Sequence, residues 1–138
     1  MMNEQNDQIK KLLSNLLQSR HPKFSLPFVF GNGKIVDIPI LYITNVEAYG
    51  DVSIIHFENY KKRKITTSFN IGTCEKLLKD YGFFRIHRTY LLNLSYLDVI
   101  IKTDNKYFCK LQGGKELALS RRRKKDFLKF CKDLNITV

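Results

Sequence analysis

The sequence of 138 residues predicts a mainly β domain with small helices and antiparallel sheets. Short runs rich in β-branched and aromatic residues alternate with turn residues over most of the chain, the turns being Asn32-Gly33, Gly50, Glu58-Asn59 and Gly113-Gly114. Helical periodicity is limited to three short stretches, and no repeat, low-complexity tract or long linker is present. We therefore predict one domain over residues 23–138, preceded by an arm over residues 1–22.

The arm is predicted to be an amphipathic helix over residues 7–19, ended by Arg20, His21 and Pro22. Its apolar residues follow the i, i+3, i+4, i+7, i+8 spacing of one helical face, and they are Ile9, Leu12, Leu13, Leu16 and Leu17. An isolated helix this short is marginal in water. Its leucine face must therefore pack on its own domain, on a second copy of the chain or on another protein.

The first half of the domain is predicted to be β-strands. The strand segments are LPFVF, KIVDI, LYITNV, DVSIIHF and KKRKITTSF. The basic run at residues 61–64 is more typical of a solvated hairpin rim than of a contact surface, although contact with phosphate remains an alternative.

The second half is predicted to contain two helices and four strand segments. Asn70 caps a helix that Gly82 ends, and the strand segments FFRIH, LDVIIKT, KYFCKL and ELALS follow. A turn is expected over residues 88–93. Ser120 is expected to cap the last helix, whose apolar side is Phe127, Leu128, Phe130, Cys131 and Leu134.

The chain is strongly basic, and the excess charge is uneven. It has 24 Lys and Arg against 13 Asp and Glu, a formal net charge of +11 and a pI of about 9.7. Residues 85–138 alone hold thirteen Lys and Arg against five Asp and Glu, a net charge of +8. This pattern is typical of nucleic-acid binders, but heparin-binding and membrane-surface proteins are basic too.

Several function classes find no support in the sequence. Three cysteines, Cys74, Cys109 and Cys131, lie at wide spacings without a CxxC pair, so we expect reduced, buried thiols and no metal site. No membrane span or secretory signal is present, and the cytoplasm is the expected compartment. The sequence has no P-loop, nucleophile motif or paired carboxylates, so we expect no enzyme, no cofactor and no small-molecule substrate.

The start of the last helix carries three consecutive arginines. Arg121, Arg122 and Arg123 occupy its first turn, where the helix dipole disfavours each exposed cation by roughly 0.3–1 kcal/mol. A bound anion would reverse this effect, because helix N-termini offer free N–H groups to phosphate and arginine fits phosphate or a guanine edge. The alternative is a solvated cluster partly neutralised by Asp126 or Glu116.

The segment FRIHRTYLLNL, residues 84–94, interleaves polar and apolar side chains. Its aromatic and aliphatic residues can anchor the segment to a core, which leaves Arg85, His87 and Arg88 to face outwards or to cap the turn. Arg88 is the stronger candidate for contact. His87 could either donate to phosphate or hold the turn, and Asn93 is ambiguous.

At these residues the chain resembles the LytTR DNA-binding domain family of bacterial response regulators. Matching positions of the family motif are Phe83, Arg85, His87, Arg88, Thr89, Tyr90 and Asn93. The segment VEAYGDVSIIHF resembles the first conserved strand pair of the family, and LALSRRRKKDFL resembles its closing strand and helix. The resemblance extends over residues 24–134.

The resemblance implies an elongated fold of antiparallel β-sheets whose loops enter successive major grooves. By position, the base contacts would come from Arg88, from Arg121 with Arg122 or Arg123, and from the loop at residues 50–52. In that loop either Asp51 accepts a hydrogen bond from cytosine or the contact relies on Tyr49 or Ser53. Contacts to phosphate, or positioning, would come from Arg85, His87, Asn93, Arg123 and Lys124. Only about 22 residues precede the domain, so we expect a stand-alone form without a receiver domain.

The sequence thus predicts a regulator of transcription that binds double-stranded DNA. Two copies would bind paired repeats, and the leucine face of the arm could join them. Two alternatives remain open: a non-specific binder of single-stranded DNA or RNA that stacks bases on aromatic rings, and an adaptor whose basic face meets an acidic protein.

Overall fold

The computed structural model describes residues 24–134 and consists mainly of β-strands. The predicted helical arm lies outside these residues. The elements in chain order are β1 (Ser25–Val29), β2 (Ile35–Pro39), β3 (Ile43–Tyr49), β4 (Val52–Phe57), β5 (Lys64–Thr67), α1 (Ile71–Leu78), β6 (Phe83–His87), β7 (Tyr90–Asn93), β8 (Leu97–Thr103), β9 (Lys106–Leu111), β10 (Glu116–Leu119) and α2 (Arg121–Asp133).

The strands form three antiparallel sheets. A two-stranded sheet pairs β1 with β2, a five-stranded sheet has the order β5-β4-β3-β7-β6, and a three-stranded sheet has the order β10-β9-β8. Two α-helices accompany them in the described part of the chain. The predicted fold class is therefore confirmed.

Two apolar cores lie on opposite faces of the five-stranded sheet. Leu91 and Leu92 are neighbours on β7 and point to opposite faces, because side chains alternate along a strand. Leu91 joins the core that contains β1, β2 and α1, whereas Leu92 joins the core that contains β9, β10 and α2. The cysteines are free and buried in these cores, as expected, and burial raises the pKa of Cys74 and of Cys109 to about 12.

Two predicted boundaries were wrong. The turn expected over residues 88–93 is limited to Arg88 and Thr89, because Tyr90–Asn93 forms a strand that pairs with both β6 and β3. The strand predicted as LYITNV begins at Ile43, because Ile40–Tyr42 forms a 3-10 turn ahead of it. Pairing with β3, which is distant in the sequence, decides the first of these boundaries.

The predicted ends of the helices were partly right. Asn70 caps α1 by accepting a hydrogen bond from the N–H of Thr73 at 2.8 Å, and Gly82 follows it in the left-handed conformation with φ +83°. Ser120 precedes α2 as predicted, but its hydroxyl makes no capping hydrogen bond. On α2, Phe127 and Cys131 are buried whereas Leu128 and Leu134 are exposed, so the apolar side is narrower than predicted.

Candidate nucleic-acid interface

Three segments meet at one end of the five-stranded sheet: the β3–β4 turn, the β6–β7 turn and the start of α2. The N–H of Ala48 near the end of β3 donates to the carbonyl of Thr89 at 2.9 Å. On the other side of the β6–β7 turn, the N–H of Ser120 donates to the carbonyl of Ile86 at 2.8 Å. Main-chain hydrogen bonds therefore fix the three segments side by side, with the β6–β7 turn in the middle. We call this end of the domain the loop edge.

The β3–β4 turn brings Asp51 to the loop edge. Tyr49 pairs with Val52, so Gly50 and Asp51 form a two-residue hairpin turn, and Gly50 supplies the φ of +60° that such a turn requires. Asp51 is exposed, and the side chain of Tyr49 beside it is 70% exposed. This turn presents one carboxylate and one aromatic ring to solvent.

Arg85 joins three elements through hydrogen bonds inside the protein. Its Nη1 contacts Glu75 Oε1 on α1 at 3.2 Å, and its Nη2 donates to the carbonyl of Arg88 at 2.6 Å. Its own carbonyl accepts a hydrogen bond from Nη1 of Arg123 on α2 at 3.3 Å. The guanidinium of Arg85 is largely enclosed, and its hydrogen bonds hold the β6–β7 turn in place. The side chain of Arg88, in contrast, stays exposed.

His87 also supports the β6–β7 turn. Its Nδ1 lies 3.1 Å from the N–H of Thr89 and 2.8 Å from the Thr89 hydroxyl. A main-chain N–H can only donate, so Nδ1 is the acceptor and Nε2 carries the proton. Burial lowers the pKa of His87, and the charges of Arg88, Arg123 and Arg85 lower it further. The ring is therefore neutral near pH 7, with one N–H available to donate.

Asn93 is buried at the other end of β7. Its Nδ2 donates to the carbonyl of Ile43 at 2.8 Å, and its Oδ1 accepts from the N–H of Ser95 at 3.0 Å. Both ends of the amide are thus used within the fold. Asn93 ties β7 to β3 and is far too enclosed to reach a ligand.

The start of α2 presents a row of cations. Arg121 and Arg122 are exposed, and in the described part of the chain neither is paired with a carboxylate. No ion pair joins these two arginines to Asp126 or Glu116 in residues 24–134, and the solvated cluster stays a prediction. Lys124 lies against the Tyr107 ring with its Nζ 4.0 Å from the centroid. The side chain of Ser120 does not cap the helix, and the N–H of Arg123 donates to the carbonyl of Ser120 at 3.1 Å.

A shallow cavity of about 300 Å³ adds residues that the sequence had not indicated. It is lined by His87, Arg121 and Ser120 together with Lys106, Tyr107, Phe108, Ala118 and Leu119. Tyr107 reaches the loop edge because it pairs with Leu119, directly before the α2 cap. That pairing is not visible in the local sequence, although the position of Tyr107 next to a lysine-flanked turn is a weak indication.

In residues 24–134, no group of His, Cys, Asp or Glu has the arrangement of a metal site. Over the same residues, no helix is long and apolar enough to cross a membrane. The chemistry that the loop edge offers is that of arginine and lysine cations, one neutral imidazole N–H and one carboxylate.

Antiparallel sheets with cationic loops at one edge are suited to a polyanion such as DNA, and comparison with protein families identifies the class of domain. The chain belongs to the LytTr DNA-binding domain family, whose model matches residues 33–132. This family is one of DNA-binding domains and not of catalysts.

The fold is also shared with a solved structure, the LytTr DNA-binding domain of a putative methyl-accepting/DNA response regulator from Bacillus cereus. The TM-score is 0.64 at 19% identity, and the match covers 79% of this chain and 97% of the other. At this identity the likeness is one of fold. A search among curated proteins gave no match.

Proposed function

We propose that this protein is a bacterial regulator of transcription that reads the sequence of double-stranded DNA through the loop edge. The observation that carries the proposal is that Arg88 and Arg121 are exposed, form no ion pair within residues 24–134, and lie on two segments that the hydrogen bond from Ser120 to Ile86 joins. Arginine is the side chain that most often reads guanine, by two hydrogen bonds to its major-groove edge.

The remaining predicted site residues divide into three groups. Arg122 and Asp51 join Arg88 and Arg121 as base-contacting residues, with the Asp51 carboxylate as an acceptor for a cytosine amino group. His87, Arg123 and Lys124 contact phosphates, the first as a neutral donor. Arg85 and Asn93 act by positioning, because Nη1 and Nη2 of Arg85 and both ends of the Asn93 amide already make hydrogen bonds within the fold.

Two copies of the protein are proposed to bind paired repeats, in each of which the loops enter successive major grooves. The predicted arm, with Ile9, Leu12, Leu13, Leu16 and Leu17 on one face, would join the copies. Regulation of transcription places this function in the cytoplasm. Stacking of single strands is a weaker candidate, because among the described residues only Phe24 and Tyr49 are strongly exposed aromatic side chains, whereas most other aromatic rings pack in or against the two cores.

Selection of bound duplexes from a random library at near-physiological salt tests the proposal. We expect the protein to enrich a short motif repeated in one orientation, and Arg88→Ala to relax one position of it. Lys124→Ala should leave the motif unchanged while reducing the salt dependence of binding by roughly one phosphate contact.

Lys132→Ala is the matched control, since Lys132 lies at the other end of α2, roughly 15 Å from its start. It should change neither the motif nor the salt dependence. Retention of duplexes without any motif would contradict sequence-specific binding. Equal losses for Arg88→Ala and Lys124→Ala on scrambled DNA would contradict the separate roles of the two residues.

A further inference from the structure

A groove of about 460 Å³ lies between the β1–β2 hairpin and the edge strand β5, away from the loop edge. Its floor is apolar and packs on the first core, and its rim is basic. Phe30, Val36, Ile38 and Ile65 form the floor, and Lys34, Lys61 and Lys62 stand on the rim. We propose that this groove binds an acidic, extended segment of a partner protein that inserts an apolar side chain between the lysines.

The charge of the groove defines the partner. No carboxylate lines it. Both ion pairs of the described residues, His56–Glu47 and Arg85–Glu75, lie elsewhere, so the rim lysines are unpaired there. Lys61 lies 5.9 Å from the centroid of the Tyr60 ring, which orders its stem at the rim. An acidic segment would supply the carboxylates that these three lysines lack.

The main chain of β5 adds hydrogen-bonding groups along the groove. The N–H of Phe57 donates to the carbonyl of Arg63 at 2.8 Å, which fixes the hydrogen-bonded positions of the β4–β5 ladder. By the alternation of antiparallel pairs, the N–H and carbonyl groups of Lys64 and Thr66 then point away from β4. An extended segment could pair with them, as in strand addition at other sheet edges.

Two simpler explanations of the lysines fit less well. Lysines on an edge strand prevent aggregation, but that function needs no groove with an apolar floor. Contact with DNA phosphate also makes no use of an apolar floor. In addition, the β4–β5 turn lies at the opposite end of β4 from the β3–β4 turn, roughly 20 Å along a six-residue strand. The groove can therefore be filled while the loop edge holds DNA.

Binding of synthetic peptides to the full chain tests the proposal. The probe is a fluorescent peptide in which Asp and Glu alternate with Leu and Phe. One comparison peptide replaces the acids by Asn and Gln, and another replaces Leu and Phe by Ser. Anisotropy is measured at 0.15 M salt for the protein and for two double variants, Lys61→Gln with Lys62→Gln, and Lys102→Gln with Lys106→Gln.

We expect the probe to bind, and both comparison peptides to bind more weakly. Gln at positions 61 and 62 should weaken the probe roughly fivefold, from two exposed ion pairs, whereas Gln at 102 and 106 should change its binding little. Val36→Thr, which keeps the side-chain shape but adds a hydroxyl to the floor, should weaken the probe as well. Unchanged thermal unfolding of each variant confirms that the fold is intact.

Three results would overturn the proposal. The first is no binding of the probe. The second is equal binding of the acidic peptide that lacks Leu and Phe, because it would reduce the interaction to general attraction by a protein of net charge +11. The third is a loss of duplex DNA affinity on changing Lys61 and Lys62 as large as that on changing Lys102 and Lys106, because it would make the groove rim part of the DNA interface.

Discussion

The β6–β7 hairpin and the start of α2 both bring arginines to the loop edge, but the two segments are built differently. In the hairpin, Arg88 is the exposed member of a network in which Arg85, His87 and Thr89 make internal hydrogen bonds. At the start of α2, Arg121 and Arg122 have no such supports, and the residue that precedes them makes no side-chain cap.

This difference predicts that Arg88 and the arginines of α2 contribute to DNA binding in different ways. A side chain on a turn already held by hydrogen bonds loses less conformational entropy on binding than a side chain at a helix start without such bonds. Arg88 is therefore expected to contribute specificity, and the arginines of α2 are expected to contribute more of their energy through charge.

The largest expected effect comes from Asn93, at the base of the hairpin. Asn93→Ala leaves the buried carbonyl of Ile43 without its donor, and the free energy of unfolding should fall by roughly 1–3 kcal/mol. Urea denaturation measures the change. Asn105→Ala is the control, since Asn105 is exposed, and it should alter stability by much less. If both variants are equally stable, the tie between β7 and β3 does not support the hairpin.

Arg88→Ala should leave stability unchanged and weaken the selected DNA site by roughly 1–3 kcal/mol. Arg121→Ala should weaken binding to that site by less, but a larger share of its loss of affinity should also appear on scrambled duplexes. Competition binding with the selected and scrambled duplexes measures, for each variant, the ratio of the affinity lost on the scrambled duplex to that lost on the selected duplex. Equal ratios for the two variants would remove the distinction between the rigid turn and the free helix start.

Arg85 tests whether the network acts through Arg88. Arg85→Met keeps the aliphatic stem but removes the donor to the Arg88 carbonyl. In a double-mutant cycle with Arg88→Ala, the loss of DNA affinity in the double variant should be smaller than the sum of the two single losses by roughly 1 kcal/mol. The reason is that Arg85 has nothing to position once the Arg88 side chain is absent. Additive losses would mean that Arg85 contacts DNA by itself.

The sequence predicted those parts of the fold and site that depend on local pattern. Residue alternation and turn residues gave nearly all the strands, and Asn70 and Gly82 gave the ends of the first helix region. Pairing between distant segments could not be predicted from local pattern. This pairing makes Tyr90–Asn93 a strand, buries the Asn93 amide against β3 and brings Tyr107 beside His87 and Arg121. Charged residues could be recognised as candidates, but only packing separates Arg85, which is held, from Arg88, which is free.

The smallest expected effect concerns the protonation of His87. Its pKa is lowered in the fold, so the unfolded chain takes up a proton first as the pH falls below about 6.5. The stability that His87 contributes is therefore present above that pH and lost below it. The fall in unfolding free energy between pH 7 and pH 5 should be smaller in His87→Gln than in the original chain.

His56 is the comparison for this measurement, because burial lowers its pKa too while its Nε2 contacts Glu47 on β3 and makes no hydrogen bond to the β6–β7 turn in residues 24–134. His56→Gln should also reduce the pH dependence of stability, but it should leave DNA binding unchanged. His87→Gln should weaken DNA at every pH from 6.5 to 8, since the neutral ring is the proposed donor. DNA affinity that rises steeply as the pH falls in this range would instead mean that His87 binds phosphate as a cation, and that the hydrogen bond from Thr89 is given up on binding.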